Sequence, residues 1–234
     1  MHKTLLVFIS FFLFINHPAA QIPDSKLASD VRTVIWPRME KELKTGGFKT
    51  GNAIFIRIFK EEHLLEIWIK DHDKYRLFKT YPVCYFSGGP GTKTRMNDGK
   101  SPEGFYTIAP RQLNPVSHYH LAINIGYPNQ LEKIKGYTGS DIMIHGQCVS
   151  IGCYAMTDPL IEEIYTLVYK TFEAGYTVIP LHIFPFKPNT DHMKRYAGSG
   201  EFNYWSNIKT GYDLFERKRI PPAVSVVNKR YAFK

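Results

Sequence analysis

The clearest pattern of apolar and polar positions lies in residues 53–69, where the two classes alternate around a charged turn at residues 60–63. Alternation with a period of two is typical of half-buried strands, and the charged interruption between two such runs predicts a β-hairpin. Residues 77–85 and 176–184 show shorter patterns of the same kind. The chain is therefore expected to be rich in β-strand.

Two further strands are predicted in the middle of the chain. Residues 118–126 alternate, so that one face would hold Tyr119, Leu121, Ile123 and Ile125 and the other His118, His120, Ala122 and Asn124. The first face is expected to enter the core, which leaves the second free for chemistry. Residues 141–145 predict a short strand that ends at His145.

One helix is strongly indicated after residue 156. Thr157 or Asp158 would cap it, Pro159 suits its first turn, and Gly175 would end it. Its apolar stripe is formed by Ile161, Ile164, Tyr165 and Val168. A weaker aromatic pattern predicts a second helix over residues 202–215. Together with the strands, this predicts a β-rich α+β fold with one or two helices.

The N-terminal residues 1–20 have the layout of a secretory signal peptide, with Lys3 ahead of an apolar run over residues 5–15. The run is shorter than the roughly 20 residues of a membrane-spanning helix. The cleavage region is atypical, because His17 or Pro18 stands where a small residue is expected, so an uncleaved tether is the alternative. We therefore expect an exported, periplasmic protein whose residues 21–234 form a single domain.

The charge of the chain favours an anionic partner. The formal net charge is +9, and the basic residues are scattered along the sequence. Export and the lack of any nucleic-acid-binding motif favour a polyanionic wall or membrane surface over nucleic acid, and simple solubility is the alternative. No nucleotide cofactor is indicated, because the glycines of residues 88–91 are not followed by the Gly-Lys-Ser/Thr of a phosphate loop.

The chemistry concentrates in residues 145–156, HGQCVSIGCYAM, at the end of a strand and before a helix. The chain has three cysteines, so at least one thiol is left without a disulfide partner. Cys153 is a candidate nucleophile and His145 its candidate base. Gly152 permits close approach of the backbone to a substrate, and the N–H groups of Gly152 and Cys153 are candidate oxyanion donors.

Other interpretations of this segment stay open. A zinc site would use His145, Cys148 and Cys153 with His118 or His120, although the Cys-x4-Cys spacing is unusual for zinc. A disulfide between Cys148 and Cys153 would remove the nucleophile, so Cys148 is better interpreted as a packed thiol or a partner of Cys84. Asp141 would lie roughly 13 Å from His145 along the strand, which favours a backbone carbonyl as the group that orients the imidazole.

These motifs resemble the YkuD-type L,D-transpeptidase family. The resemblance rests on SPEGFYTI at residue 101, His-Gly at residue 145 and Ser-x-Gly-Cys-x-x-Met at residue 150. Two further segments are similar to its YafK-type murein branch: IRIFKEEHLLEIWI at residue 56 and YHLAINIGYPN at residue 119. The resemblance covers residues 52–186 and implies a YkuD-like catalytic β-sandwich or barrel-like domain, followed by a C-terminal extension.

The resemblance implies that Cys153 attacks the meso-diaminopimelate carbonyl of a peptidoglycan stem peptide and forms a thioester, with His145 taking the thiol proton. Ser150, Gly152 and Gly146 would shape the pocket and oxyanion hole. His118, His120, Asn124 and Tyr127 are candidate substrate-binding residues. Lys93 and Arg95 are candidate partners of a substrate carboxylate, and solvated surface charge is the alternative for both. Neither a metal nor a cofactor is implied.

The acceptor decides the outcome of such a reaction. An amine would give a cross-link or a lipoprotein attachment, whereas water would give a hydrolase that detaches wall-bound lipoprotein. The sequence departs from the wider family at Ile151, where a second His is common, at Ala155, and in the short spacing from His145 to Cys153. A non-catalytic module that binds the wall is a further alternative, and no transmembrane partner is implied.

Overall fold

The structure, a computed structural model, describes residues 21–234; the proposed signal peptide, residues 1–20, lies outside the described residues. Eleven strands are present in this part of the chain: β1 Ile54–Phe59, β2 Leu64–Asp71, β3 Lys74–Pro82, β4 Gly104–Ile108, β5 Leu113–Asn114, β6 Ala122–Asn124, β7 Met143–His145, β8 Tyr154–Ala155, β9 Ile179–Phe184, β10 Val224–Val227 and β11 Arg230–Phe233.

Five α-helices and one short 3₁₀-helix, Pro110–Gln112, accompany the strands in the described residues. The α-helices are α1 Lys26–Thr45, α2 Gln130–Ile134, α3 Asp158–Glu173, α4 Thr190–Arg195 and α5 Phe202–Lys218. None of them is long and apolar enough to cross a membrane. The β-rich α+β fold class expected from the sequence is confirmed.

The strands form two main sheets and a separate hairpin. The larger sheet has the order β3-β2-β1-β9-β4, in which β1 and β9 run parallel and the other neighbours antiparallel. The smaller sheet has the order β5-β6-β7-β8, and β10 pairs only with β11. The hairpin predicted over residues 53–69 is therefore β1–β2.

The larger sheet is covered on both faces, which explains the almost continuous apolar sequence of β1, IFIRIF. Ile54, Ile56 and Ile58 enter the main core with residues of α1, α3 and the smaller sheet. Phe55 and Phe59 point to the opposite face, where they meet aromatic residues of α5. The protein is thus built in layers with the larger sheet in the centre.

Two local features differ from the sequence expectations. Helix α1 was not predicted, because its apolar stripe is weak and Pro37 lies inside it. The predicted strand at residues 118–126 is wrong at its start, since β6 spans only Ala122–Asn124 and residues 117–121 form turns. His120 has a positive φ of 67°, which breaks the strand, and Tyr119 is 46% exposed rather than in the core.

A buried ion pair lies beside the larger sheet, and Trp205 of the C-terminal part of the chain donates to it. Lys60 Nζ lies 2.8 Å from Glu103 Oε1, and both side chains are fully buried. Glu103 Oε1 also accepts from the Gly91 N–H, and its Oε2 accepts from Trp205 Nε1 of α5. Lys60 donates further to the carbonyls of Gly91 and Ser101. Because these charges are well hydrogen-bonded, their desolvation is compensated.

We predict that Glu103→Ala lowers the free energy of unfolding by about 3–5 kcal/mol, because it leaves the Lys60 ammonium buried without a counter-charge. Urea denaturation followed by circular dichroism measures this change. Asp30→Ala, which removes a pair with Lys26 on the exposed face of α1, is the control and should cost at most about 0.5 kcal/mol. Equal losses of unfolding free energy in Glu103→Ala and Asp30→Ala would contradict a special contribution of the buried Lys60–Glu103 pair to stability.

Candidate active site

The site is organised by the parallel pairing of β7 with β8. Ile144 lies opposite Tyr154 and His145 opposite Ala155. Extending this register by one residue sets Cys153 beside Met143, and the Met143 N–H indeed donates to Cys153 Sγ at 3.4 Å. Side chains alternate along a strand, so Met143, His145 and Cys153 belong to one face while Ile144 and Tyr154 enter the core.

The connection between these parallel strands is unusually short. Only residues 146–153 join β7 to β8, whereas a parallel crossover normally needs a dozen residues or more. The loop reverses through left-handed backbone at Gln147 and Cys148, with φ of 64° and 43°, and at Gly152, with φ of 156°. Gly152 is required there, since a side chain would also press on Ile142 and the Lys100 carbonyl.

A disulfide between Cys84 and Cys148 holds this loop, with a Cα–Cα distance of 5.4 Å. Tyr85, next to Cys84, forms a bridge to Ala155 of β8, and the Cys148 N–H donates to the Met156 carbonyl at 3.1 Å. Cys148 was interpreted either as a packed thiol or as a partner of Cys84, and the structure shows it as the partner of Cys84. The zinc interpretation is wrong in its use of Cys148, because a disulfide sulfur is not a thiolate ligand.

Cys153 carries the free thiol. Its Sγ donates to the Asp141 carbonyl at 3.6 Å and accepts from the Met143 N–H. Burial raises the pKa of Cys153, an effect that the Met143 N–H opposes. The resting group is therefore a thiol, and it needs a base in order to become a nucleophile.

His145 is buried and suited to act as that base. Its Nδ1 lies 2.6 Å from the Gly146 carbonyl. A carbonyl only accepts, so Nδ1 carries the proton and the lone pair of Nε2 is left for proton transfer. Burial lowers the pKa of His145, which keeps the imidazole neutral. A backbone carbonyl therefore orients the ring, as the sequence suggested.

The thiol and the imidazole are near neighbours without being in contact. Two residues of rise along β7 and one strand spacing separate their backbones, which gives a Cα–Cα distance of about 8 Å. In the described part of the chain, Cys153 and His145 do not hydrogen-bond each other. Catalytic hydrogen bonds are often long in proteins without substrate and tighten when substrate binds. The Tyr119 ring covers His145, with centroids 4.7 Å apart.

Ser150, Gly152 and Gly146 shape the loop around these two residues. Ser150 Oγ accepts from the Gly152 N–H at 3.0 Å and donates to the Cys153 carbonyl at 2.7 Å. The Gly152 N–H, a candidate oxyanion donor, is therefore already engaged in this state. A Cβ on Gly146 would collide with the Asp158 carboxylate, which accepts from the Gln147 N–H at 2.8 Å.

A pocket of about 270 Å³ opens at Cys153. Its lining comes from three loops: Lys93, Met96, Asn97, Gly139, Ser140, Asp141, Ile142, Ile151, Gly152 and Cys153. Lys93 is the cationic group in this wall, and its Nζ already bonds Asp98 Oδ1 at 2.8 Å. Ile151, where the wider family has a second His, is 87% exposed at the pocket. The pocket is thus polar on one side and apolar on the other.

The four candidate substrate-binding residues lie in different surroundings. His118 is exposed, and His120 Nε2 lies 2.8 Å from Glu162 Oε1 of α3. The Asn124 side chain accepts from the Gly126 N–H in a turn. Tyr127 is buried and donates to the carbonyls of Lys93 and Thr138, behind the thiol pocket. Tyr127 therefore supports two loops of the pocket wall, and it does not line the pocket itself.

Several residues of the site were not found from the sequence. Ser101 Oγ donates to the Cys153 carbonyl at 3.3 Å, and Ser87 Oγ donates to the Ser150 carbonyl at 3.2 Å. Tyr119 was assigned to the core, although it stacks on His145. Ser87 and Ser101 stand beside turn signals on either side of a loop, but nothing in their spacing indicates which backbone groups they reach.

These features agree with a comparison with protein families. A model described as the L,D-transpeptidase catalytic domain, YkuD, matches residues 53–182. The chain therefore belongs to the YkuD L,D-transpeptidase family. The matched segment contains both Cys153 and His145.

Individual relatives agree with this assignment. The chain is 47% identical over 181 residues to the protein named "Putative L,D-transpeptidase YafK" of Escherichia coli K12, which covers 77% of this chain and 74% of the relative. The protein of the same name from Escherichia coli O157:H7 matches equally. The resemblance to the YafK-type branch is thereby confirmed.

Solved structures are more distant. A mutant of the helical cell shape determining protein Pgp2 from Campylobacter jejuni has a TM-score of 0.48 and 21% identity, and it covers 70% of this chain. The chain spans 56% of that Pgp2 chain. Bd1075 of Bdellovibrio bacteriovorus has a TM-score of 0.40 and 20% identity, with 71% of this chain and 61% of that chain covered. At this level of similarity they say nothing about the substrate of this chain.

We predict that the alkylation rate of Cys153 by iodoacetamide keeps rising with pH beyond the ordinary thiol pKa of 9.0, because burial raises the pKa. Intact-mass spectrometry at a series of pH values measures this rate. His145→Gln should leave the profile unchanged, since the ring does not bond the resting thiol, and Cys153→Ala should not react. A rate plateau below about pH 7 would instead indicate a preformed thiolate–imidazolium pair.

Proposed function

We propose that this protein is an exported cysteine enzyme that modifies peptidoglycan, with Cys153 as nucleophile and His145 as general base. The family supplies the class of enzyme and makes peptidoglycan the expected substrate. The observation that carries the residue assignment is the arrangement at β7 and β8. The free thiol and a neutral imidazole with an available Nε2 belong to the same face of one parallel strand pair.

In the proposed reaction, His145 Nε2 takes the thiol proton as Cys153 Sγ attacks the carbonyl of a meso-diaminopimelate residue in a stem peptide. The new C–S bond gives a thioester, and the C–N bond of the donor breaks as His145 returns the proton to the leaving amine. The oxyanion would be held by backbone N–H groups of the loop before β8. An acceptor amine then forms a new amide, or water forms a carboxylic acid, and the thiol is regenerated.

The loop contacts support this assignment of roles. The Cys84–Cys148 disulfide removes the other two thiols from consideration, so that Cys153 is left as the nucleophile. Ser150 and Ser101 both donate to the Cys153 carbonyl, which fixes the backbone of the nucleophile. A fixed nucleophile reduces the entropy that must be lost on reaching the reactive geometry. In this proposal Ser150 positions the nucleophile.

Hydrolytic release of wall-bound lipoprotein is the second candidate function, and the pocket mouth favours it. Ile151 is 87% exposed and replaces a histidine that is common in the wider family. Met96, 61% exposed, lines the same pocket, and two exposed apolar side chains at one mouth suit contact with a protein-like donor. The leader-like residues 1–20 support a periplasmic location, where both peptidoglycan and such a lipoprotein would be met.

The proposal predicts a hierarchy of variants on purified sacculi, with and without attached lipoprotein, followed by mass spectrometry of the products. Cys153→Ala should lose all turnover. His145→Gln should lower the rate by about 10²–10⁴-fold, the usual contribution of a general base. His72→Gln, a matched change in the exposed turn between β2 and β3, should keep the rate within about twofold of the unmodified protein, as expected for a surface substitution.

The reaction products distinguish the candidate functions. New 3-3 cross-links would indicate an amine acceptor, whereas released lipoprotein would indicate water. An unchanged wall that still binds the protein, including Cys153→Ala and His145→Gln, would contradict the catalytic proposal and favour a wall-binding module. Full turnover by Cys153→Ala would show that the nucleophile is wrongly assigned.

A further inference from the structure

A second cavity, of about 410 Å³, shares no lining residue with the thiol pocket. It is bounded by the free edge of β4, by residues 125–131 and by strand β10 of the C-terminal hairpin. Its volume falls within the range of small-ligand pockets, about 300–1,000 Å³. The catalytic proposal gives this cavity no role.

The β4 side of this cavity offers an unpaired strand edge. In the described part of the chain, β4 is the last strand of the larger sheet and has a neighbour, β9, on one side only. The Phe105 carbonyl faces away from β9, because it accepts from Asn129 Nδ2 at 3.3 Å. The N–H and C=O of alternate residues point the same way, so those of Thr107 also face outward, into the cavity.

The pairing of β4 with β9 agrees with this orientation. Thr107 lies opposite Pro180, which has no N–H to donate, as expected where the two backbones do not hydrogen-bond. Within residues 21–234, the Thr107 backbone takes part in no hydrogen bond outside the sheet. Thr107 therefore presents one donor and one acceptor at the spacing that an added β-strand requires.

A buried histidine supplies a second unpartnered group. His182 lines the cavity and is 2% exposed, and its Nδ1 has no hydrogen-bond partner among residues 21–234. Its ring lies between those of Phe55 and Phe105, with centroids 4.6 Å away in both cases. Burial lowers the pKa of His182 to about 3, so the ring is neutral. Buried polar atoms without partners are rare and call for an explanation, such as a ligand.

The remaining wall specifies the chemistry of an occupant. Pro180, Pro222, Ile125 and Val224 give it an apolar surface, and Lys133 contributes an ammonium group. A strand edge recognises an extended backbone, apolar walls suit small side chains, and an ammonium attracts a carboxylate. These three features together fit an extended peptide better than a glycan, which has no backbone to pair with β4.

We propose that this cavity binds an extended peptide segment bearing a carboxylate. Its backbone adds to β4 by exchanging two hydrogen bonds with Thr107, a polar group of the peptide meets the His182 ring, and the carboxylate pairs with Lys133. The cavity wall also adjoins the active site, because Tyr127, between the wall residues Gly126 and Pro128, donates to the carbonyls of Lys93 and Thr138. The proposal does not depend on the thiol chemistry.

The test uses ¹⁵N-labelled Cys153→Ala protein, so that binding is measured without turnover. The probe is N-acetyl-Val-Thr-Val-Glu with an amidated C-terminus, and the matched probe has Gln in place of Glu. NMR titration is expected to show saturable shifts of the Thr107 amide and of the His182 ring nitrogens. The Gln probe should bind about fivefold more weakly, the worth of one partly exposed ion pair.

Variants separate binding from folding. His182→Phe keeps the aromatic packing and removes both nitrogens, so it should weaken binding at least tenfold while the thermal midpoint stays the same or rises. Ser225→Trp should block the cavity from β10, where Ser225 is exposed. Lys133→Gln should abolish the preference for the Glu probe, whereas Lys74→Gln, the same change at the opposite edge of the sheet, should not.

Three outcomes would overturn the proposal. The first is unchanged binding by both His182→Phe and Ser225→Trp. The second is a lack of shifts at Thr107 with either peptide, including the case in which soluble glycan fragments shift it instead. The third is a concentration-dependent shift of Thr107 without peptide, accompanied by dimer formation, which would assign the strand edge to a second copy of this chain.

Discussion

The parallel register of β7 and β8 is the constraint on which the site depends. It sets His145 opposite Ala155 and brings Cys153 beside Met143, although only residues 146–153 connect the strands. So short a parallel connection requires left-handed backbone and external ties. The Cys84–Cys148 disulfide, the Asp158 carboxylate and the hydroxyls of Ser87, Ser101 and Ser150 supply these ties. The loop of residues 146–153 is held rigid by these ties, and a rigid loop keeps the nucleophile Cys153 in place.

The rest of the fold holds the elements that carry these ties. Ser101 and Glu103 belong to one segment, so the Lys60–Glu103 ion pair fixes the backbone that carries Ser101, whose hydroxyl donates to the Cys153 carbonyl. Trp205 of α5 bonds the same carboxylate, which makes the C-terminal extension part of the framework around the site. The extension also forms one wall of the cavity at β4. The C-terminal extension therefore contacts both the segment that supports Cys153 and the cavity at β4.

The sequence predicted the features that depend on local pattern. Strands β1 and β2, helix α3 and a backbone carbonyl as the orienter of His145 follow from periodicity and spacing. The roles of Cys153 and His145 come from their chemistry and from the family resemblance, and they stay a prediction. The prediction is wrong at Tyr119 and His120, where the backbone conformation overrides the alternating pattern. Tyr119 and His120 alternate like strand residues, yet His120 is left-handed and Tyr119 turns onto His145. The hydrogen bond from Ser101 to the Cys153 carbonyl could not be predicted, because it joins residues 52 positions apart through loops.

In the proposed reaction, Cys153 becomes covalently linked to the donor peptide. The most direct test is rapid acid quenching of the unmodified protein with purified muropeptide substrate, followed by intact-mass measurement and peptide mapping. We expect a transient adduct with the mass of the donor stem peptide on the tryptic peptide that contains Cys153, and its removal by hydroxylamine, as for a thioester. Product formation at a steady rate without any adduct on Cys153 at any quench time would contradict covalent catalysis by Cys153.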